Sequence, residues 1–190
     1  MQFNYIYLLI SALLFFVAAP LVVEVTGYFW HRFVEHSGIF GENIRYKHWI
    51  HHERDYPTTS LRPSKKYTSA KSYGWYILTV FLVVSIYLLL PLHYSIPMIL
   101  GGLIYAKFVI SAFHSSFHKK NFWMNHYGWY KELVRLHDIH HYKPVNYGIN
   151  IFVLDKLFGT YSDKMPNKTT NTFPNVPRKA FVRKLHTETQ

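Results

Sequence analysis

The sequence contains no cysteine, which excludes disulfide bonds and any metal site built from thiolates. A bound metal ion must therefore be held by His, Asp, Glu or Asn side chains. Acidic residues are also scarce, with 10 Asp and Glu against 21 Lys and Arg, and the net charge is +11. Such a charge is compatible with nucleic-acid binding, but the basic residues are distributed as membrane topology requires, and the sequence carries no recognition-helix or RNA-binding signature. We therefore expect no nucleic-acid partner.

Charged residues are almost absent from three long apolar runs, which cover residues 3–23, 73–92 and 95–113. As a helix, each run is long enough to cross a hydrocarbon core about 30 Å thick. The second and third runs are joined by a very short link, so we expect them to form a tight hairpin. The first run could also be a cleaved signal peptide, but no basic residue precedes it, which favours a membrane helix. The sequence predicts an all-α integral membrane bundle of about three transmembrane helices.

The basic residues predict the orientation of this bundle. None precedes Glu24, whereas residues 24–72 contain eight and residues 114–190 contain twelve. Because Lys and Arg concentrate on the cytosolic side of a membrane, both blocks should lie there. We expect a multi-pass protein of the bacterial inner membrane or the endoplasmic reticulum. Residues 1–165 should form the membrane domain, and residues 166–190 a polar C-terminal tail rich in Pro, Asn and Thr.

Ten of the thirteen histidines fall into four clusters at the cytosolic ends of the predicted spans. The clusters HRFVEH, HWIHH, HSSFH and HDIHH contribute His31, His36, His48, His51, His52, His114, His118, His137, His140 and His141. Residues three or four apart share one face of an α-helix, so the imidazoles of the last three clusters can converge. The five-residue step from His31 to His36 converges only if the helix loosens or ends there, next to Ser37 and Gly38.

These clusters favour a cytosolic helical cap that holds a pair of metal ions. Neutral imidazole is a good ligand for Zn, Cu, Fe and Ni. Ten imidazoles exceed the closed set of four that a structural zinc site needs, and they fit two ions with about five ligands each. A single histidine is more often a hydrogen-bonded core residue, but four clusters of matched spacing on one membrane face argue against that interpretation.

Other polar residues near the clusters could assist the site. Some are candidates to orient the imidazoles from outside the ligand set, namely His126, Glu35, Asp138 and Asp155. A further three could line the mouth through which a substrate enters, namely Tyr142, Asn146 and Tyr147. Solvated surface charge, ordinary packing and turn formation are the competing interpretations for these side chains.

The ordered motifs HRFVEH, KHWIHH, HSSFH and LHDIHH, followed by NYGINIFVLDKLFGT, resemble the fatty acid hydroxylase/sterol desaturase superfamily of membrane di-iron enzymes. The resemblance covers roughly residues 24–161. It implies a transmembrane stem beneath a cytosolic cap with two iron ions, which activate O2 to hydroxylate or desaturate a lipid. It also implies that the ten clustered histidines are the iron ligands, and that zinc can replace iron in purified protein.

The substrate stays open within this resemblance. The loop HHERDYPTTSLRPS resembles that of fatty acid hydroxylases, HRFVEHSGIF resembles carotenoid hydroxylases, and NYG with LFGT is shared with sterol-processing members. We expect hydroxylation of a fatty acyl chain or related lipid, with desaturation, or action on a sterol or carotenoid, as the alternative.

The source of electrons and one non-enzymatic interpretation complete the expectations. No cytochrome b5 domain is fused to the chain, so a separate donor such as a cytochrome b5-like protein, a ferredoxin or a reductase should supply electrons. A metal-binding or metal-transporting membrane protein is the non-enzymatic alternative. Transport is disfavoured because a transporter places ionisable ligands inside its spans, and these spans carry almost none.

Overall fold

The computed structural model describes residues 2–63, 73–170 and 172–173, and within these ranges it is helical without a β-strand. The α-helices are α1 Gln2–Phe29, α2 Glu42–Ile50, α3 Tyr73–Leu89, α4 Leu92–Tyr105, α5 Ala112–Phe117, α6 Gly128–Tyr142 and α7 Val153–Leu157. Wider π-helical segments continue α1, α2 and α4 over Trp30–His36, His51–Asp55 and Ala106–Ser111, and a 3-10 turn spans Trp123–His126. The predicted all-α fold is confirmed.

Two helical stretches are long and apolar enough to cross a membrane, Asn4–His36 and Leu92–Phe117. Only 11% and 6% of their most apolar windows are buried, so neither packs like the core helix of a soluble protein. Their exposed apolar faces indicate a membrane protein. Helix α3 is apolar but shorter, with 17 residues. A third crossing by this helix therefore stays a prediction.

Helices α1 and α4 run parallel and in close contact through small residues. A Cβ atom added to Gly101 would lie 2.5 Å from the carbonyl oxygen of Phe16 and 3.2 Å from the Cβ of Ala19. Ala19 and Ser95 are almost fully buried in the same interface. Small side chains let helix backbones approach closely in a membrane. The parallel arrangement carries the C-terminal ends of both stretches, and the histidines beyond them, to the same end of the stem.

The π-helical segment Trp30–His36 explains the five-residue step between its two histidines. In a π-helix each N–H bonds to the carbonyl five residues earlier, so side chains five apart lie on the same side. The ring centroids of His31 and His36 are 5.0 Å apart. The helix ends directly afterwards, where Gly38 adopts a left-handed backbone with φ 74°. The structure thus shows the loosened helix that the sequence required.

The cap packs around α2 and α6. One apolar cluster joins Leu136 and Ile139 of α6 to Phe152, and a second joins α2 to Phe173 near the C-terminus. The backbone N–H of Thr170 donates to the carbonyl of Tyr142 at 2.8 Å. Residues on both sides of the predicted boundary at 165 therefore contact the cap. The boundary itself stays a prediction, and residues 174–190 lie outside the described residues.

Candidate metal centre

The histidines form two adjacent groups, and within each group the potential ligand nitrogens all lie within 4.8 Å of one another. The first group contains His31, His36, His48, His52 and His140, and the second contains His51, His118, His137 and His141, all of them buried. The remaining clustered histidine, His114, lies beside the second group, with its ring centroid 4.9 Å from those of both His51 and His137. The structure therefore brings all ten predicted residues together at one end of the stem.

Helix α2 with its π-helical continuation, and helix α6, each supply histidines to both groups. In HWIHH, His48 and His52 lie one turn apart and face the first group, whereas His51 faces the second. In HDIHH the division is reversed, with a single histidine, His140, in the first group. The i, i+3, i+4 spacing spreads three side chains over about 100° of the helix surface, which is enough to reach two neighbouring points. Both helical segments therefore line the two groups.

Backbone carbonyls fix the orientation of five imidazoles. In each of them the Nδ1 atom lies within hydrogen-bond distance of a backbone carbonyl oxygen. The pairs are His31 with Tyr147 (2.6 Å), His36 with Thr172 (2.6 Å), His118 with Leu61 (2.9 Å), His140 with Val145 (2.7 Å) and His141 with Tyr56 (3.0 Å). A carbonyl oxygen can only accept, so each Nδ1 carries the proton and donates it. Each Nε2 then presents a lone pair, which is the form of imidazole that binds a metal ion.

The first group fits a cation at its centre. The Nε2 atoms of His36 and His140 are 3.2 Å apart, and both hold lone pairs, so no hydrogen bond can join them. The Nε2 of His48 lies 3.0 Å from those of His31 and His36. Two nitrogens at about 2.1 Å from one ion, at right angles to each other, are separated by about 3.0 Å. The observed spacing is therefore the spacing of ligands that share an ion.

The second group offers the same chemistry. The Nε2 atoms of His118 and His137 are 3.1 Å apart. The Nε2 atoms of His51, His114 and His141 are buried and have no hydrogen-bond partner within the described part of the chain. Buried polar atoms nearly always have a partner, so three bare nitrogens in one place call for a ligand. A bound metal ion would satisfy them.

Burial keeps these imidazoles neutral. Desolvation, reinforced by neighbouring imidazoles, lowers the pKa well below its ordinary value for His48, His51, His52, His137, His140 and His141. Burial also lowers the pKa of His118 to about 4. Metal binding needs deprotonated ligands, so a neutral site at pH 7 is already in the required form.

The four predicted orienting residues make different contacts. The Oε2 of the buried Glu35 is 3.7 Å from the Nδ1 of His48. Asp155 acts through the backbone, as described below. Asp138 forms a two-pronged ion pair with Arg62, at 2.8 Å to both carboxylate oxygens. His126 is exposed in the 3-10 turn and belongs to neither group.

Asp155 holds the turn that orients His31. Its Oδ1 accepts hydrogen bonds from the N–H of Tyr147 at 2.8 Å and the hydroxyl of Thr160 at 2.7 Å, and its Oδ2 accepts from the N–H of Gly148 at 2.9 Å. Burial raises the pKa of this carboxyl, but all three hydrogen bonds oppose the rise. Since every partner donates, the carboxylate is the form that the turn requires. The carbonyl of the same Tyr147 accepts the hydrogen bond from His31. Asp155 of the LDKLFGT motif therefore orients His31 indirectly, through the backbone of Tyr147.

The three residues that were predicted to line a substrate entrance contact backbone groups or a histidine ring. The Tyr142 hydroxyl donates to the carbonyl of Thr58 at 3.1 Å. Asn146 is buried with φ 54°, and its side chain bonds to backbone groups of Leu136 and Ser162. Tyr147 is 6% exposed, and its ring centroid lies 5.1 Å from that of His36. Asn146 thus holds a turn, and a role for any of the three at an entrance stays a prediction.

Sequence reasoning missed two aromatic contacts to the histidines. The ring of Tyr56 stacks on His118 with centroids 3.8 Å apart, and the ring of Phe173 stacks on His36 at 4.8 Å. Phe173 lies far from every histidine motif, and Tyr56, four residues after His52, stacks on a histidine of a different motif. The sequence offered no signal for these contacts, because they depend on where loop and tail segments fold back.

An apolar cavity of about 590 Å³ opens onto both histidine groups. It lies between α1, α3 and α4, and its walls include Val22, Leu82 and Leu103. At its cap end it reaches four of the ligand candidates, namely His31, His48, His51 and His114. This size is typical of ligand-binding cavities. The arrangement can place an apolar molecule from the membrane stem against both histidine groups.

The comparisons with known proteins agree with this geometry. The family model described as fatty acid hydroxylase matches residues 16–160, a range that contains all ten clustered histidines and the NYG and LFGT motifs. No curated protein sequence and no solved structure gave a significant match. The family is one of oxidoreductases, and it is typically metal-dependent. Because the matched range covers well over half of the chain, the chain belongs to the fatty acid hydroxylase family.

Proposed function

We propose that this protein hydroxylates an acyl chain of a membrane lipid, using O2 and a pair of iron ions held by the ten clustered histidines. The observation that carries the proposal is the apolar cavity that ends on ligands of both histidine groups. Family membership supports hydroxylase-type oxidation, and the exposed apolar helices support a substrate drawn from the bilayer.

The dimensions of the cavity suit an acyl chain. Along the Leu92–Phe117 stretch its lining runs from Met98 to His114, sixteen residues along the chain. At 1.5 Å per residue this is about 24 Å. Half of a hydrocarbon core is about 15 Å thick, which is the depth that one acyl layer occupies. The cavity can therefore hold an extended chain with one of its C–H bonds next to the histidines.

The residues of the chain have three tasks in this reaction. The ten histidines hold the ions, which supply the oxidising power once O2 and electrons are available. The carbonyl groups of Tyr147 and Val145, among others, keep the ring orientations fixed. The apolar walls exclude water and hold the substrate in register, so that oxidation is directed to one stretch of the acyl chain.

We also propose a separate electron donor that reaches the site from the cytosolic side. A cytochrome b5-like protein, a ferredoxin or a reductase would fit this role. The basic cap supports an acidic donor, since complementary charge accelerates encounter between partners. The metal site would then face the cytosol, in the bacterial inner membrane or the endoplasmic reticulum.

The proposal is tested by lipid analysis of cells that express the protein under 18O2. Wild type should give a lipid that is 16 or 18 mass units heavier according to the oxygen isotope supplied, which is the signature of one inserted oxygen atom. His51→Ala and His140→Ala each remove a ligand from a different group and should abolish the product. His93→Ala and His126→Ala change exposed histidines outside both groups and should leave it intact.

The outcomes separate the alternatives. An oxygen-dependent product that survives both ligand substitutions contradicts the proposal. A product that carries a new double bond and no isotope label assigns the chain to desaturation instead. A labelled sterol or carotenoid, with acyl chains unchanged, keeps the chemistry and corrects the substrate. Purified protein should be analysed for iron and zinc together, because zinc occupies similar histidine sites.

A further inference from the structure

A short segment near the C-terminus touches the first histidine group from outside the range matched by the family model. We call this segment the strap, and it comprises residues 169–170 and 172–173. The family match ends at residue 160, so the strap lies outside the matched range. The contacts below rest on the proposed metal site and extend it.

The strap fixes the orientation of one ligand candidate. The carbonyl oxygen of Thr172 accepts the Nδ1–H of His36 at 2.6 Å. This bond places the lone pair of His36 on Nε2, which faces His48 at 3.0 Å and His140 at 3.2 Å. Partners of this kind set the tautomer and ring orientation of a metal ligand. No other carbonyl contact to His36 Nδ1 occurs among the described residues.

The strap also covers the first group with an aromatic ring. Phe173 is 1% exposed, and its ring stacks on His36 with centroids 4.8 Å apart and planes 18° apart. It meets His52 and His48 edge-on, at 5.4 and 6.0 Å. A single side chain thus contacts three of the five imidazoles in the first group. The ring shields these imidazoles from water and from competing ligands.

Two anchors hold the strap in place. Phe173 packs into the apolar cluster of Tyr46, Trp49 and Ile50 on α2. Upstream, both the N–H and the hydroxyl of Thr170 donate to the carbonyl of Tyr142, at 2.8 and 3.2 Å. The strap is therefore tied to α2 and to the end of α6, the two helices that supply both groups.

We infer that Thr172 and Phe173 are positioning residues that keep the first metal ion in place, and that the strap controls how fast this ion is lost. Imidazoles of the second group have their own carbonyl partners, Leu61 and Tyr56, whereas the Thr172 carbonyl and the Phe173 ring contact imidazoles of the first group. Weakening the strap should therefore release one ion and spare the other. Loss of such an outer contact typically weakens metal binding by about 10- to 100-fold.

The test measures zinc release from full-length protein in detergent, loaded with two equivalents of zinc and challenged with a colorimetric chelator. In Phe173→Ala one of the two equivalents should leave about 10- to 100-fold faster than in wild type. The control is Phe15→Ala, which deletes a ring that stacks on Tyr94 in the stem, away from both histidine groups. This control should release both equivalents at the wild-type rate, even if its thermal stability falls as far.

Phe173→Leu covers the case in which Phe173→Ala does not fold. Leucine keeps the apolar anchor on α2 and loses only the stacking on His36, so selective release should persist at a smaller factor. Equal release rates in wild type and both Phe173 variants overturn the inference, as does equal acceleration of both equivalents. Lipid oxidation by wild-type cells is measured in a separate experiment. Failure of the inference about the strap would appear in the zinc release rates, whereas failure of the proposed hydroxylase function would appear in the lipid analysis.

Discussion

Asp155→Asn tests the connection between the NYG turn and the metal site. The substitution preserves shape but replaces one acceptor oxygen with an NH2 group. If the remaining oxygen stays with Tyr147 N–H and Thr160, the NH2 faces the N–H of Gly148, which loses its acceptor at 2.9 Å. A hydrogen bond to a charged group contributes about 1.5–3 kcal/mol, and the two surviving bonds weaken as the charge is lost.

We therefore expect Asp155→Asn to lower the free energy of unfolding by about 3–5 kcal/mol. For a chain of this size the melting temperature should fall by about 6–20 °C. The turn also carries the carbonyl that orients His31, so zinc affinity should weaken by about 10-fold or more. Thermal unfolding in detergent measures the first effect, and competition with a chelator measures the second.

The control for this prediction is Asp163→Asn, which changes an exposed carboxylate in the segment after the same motif. It should melt and bind zinc as wild type does. If Asp155→Asn melts within about 1 °C of wild type and keeps its zinc affinity, the carboxylate does not hold the turn, and the proposed relay to His31 is wrong.

Three further predictions concern the packing of the stem helices, the space in the cavity and the dependence of stability on pH. Gly101→Ala should destabilise the protein by about 1–3 kcal/mol, because the added Cβ would lie 2.5 Å from the backbone carbonyl oxygen of Phe16. In the control Gly102→Ala the added Cβ has its nearest neighbour, a methyl group of Val23, at 3.5 Å, so this variant should melt near the wild-type temperature. Leu103 lines the cavity, so Leu103→Trp should fill it and reduce the oxidation of long acyl chains several-fold. The control is Leu100→Trp, because Leu100 does not line the cavity. The chain lengths of the products formed from mixed lipids measure this effect. Burial lowers the folded-state pKa of His137 below its ordinary value of 6.5, so the unfolded chain binds more protons in acid. The stability of metal-free protein should therefore hold above about pH 6.5 and fall below it, by about 1.4 kcal/mol per pH unit for each additional proton that the unfolded chain binds. Unfolding measured at several pH values checks this prediction.

The sequence predicted the ligand candidates because their spacing is local. Three and four residues are the repeat of an α-helix, so HSSFH and the two HxxHH clusters could be placed on one face before any tertiary contact was known. The step from His31 to His36 broke that rule and required a wider helix, which the structure contains at Trp30–His36. Long uncharged runs likewise predicted the apolar helices, because hydrophobic length is a property of the segment itself.

The division of the histidines into two groups could not be predicted from the sequence. It depends on the rotation of α2 and α6 relative to the stem, which sends His51 one way and His48 the other. The carbonyl partners were equally hidden, since every residue has a carbonyl and no side chain marks it. Thr172 is 136 residues from His36, and a contact at that separation leaves no periodic trace. The exposed position of His126 follows from a turn that spacing alone does not place.

The central claim is that ten imidazoles hold two metal ions, one in each group, at the end of an apolar cavity. The most direct measurement is an anomalous diffraction map of the protein loaded with ferrous iron without oxygen, recorded at the iron absorption edge. Two peaks should appear, one among the Nε2 atoms around His36 and one among those around His137. A map with no peak in either group, or with iron only outside both, would contradict the account.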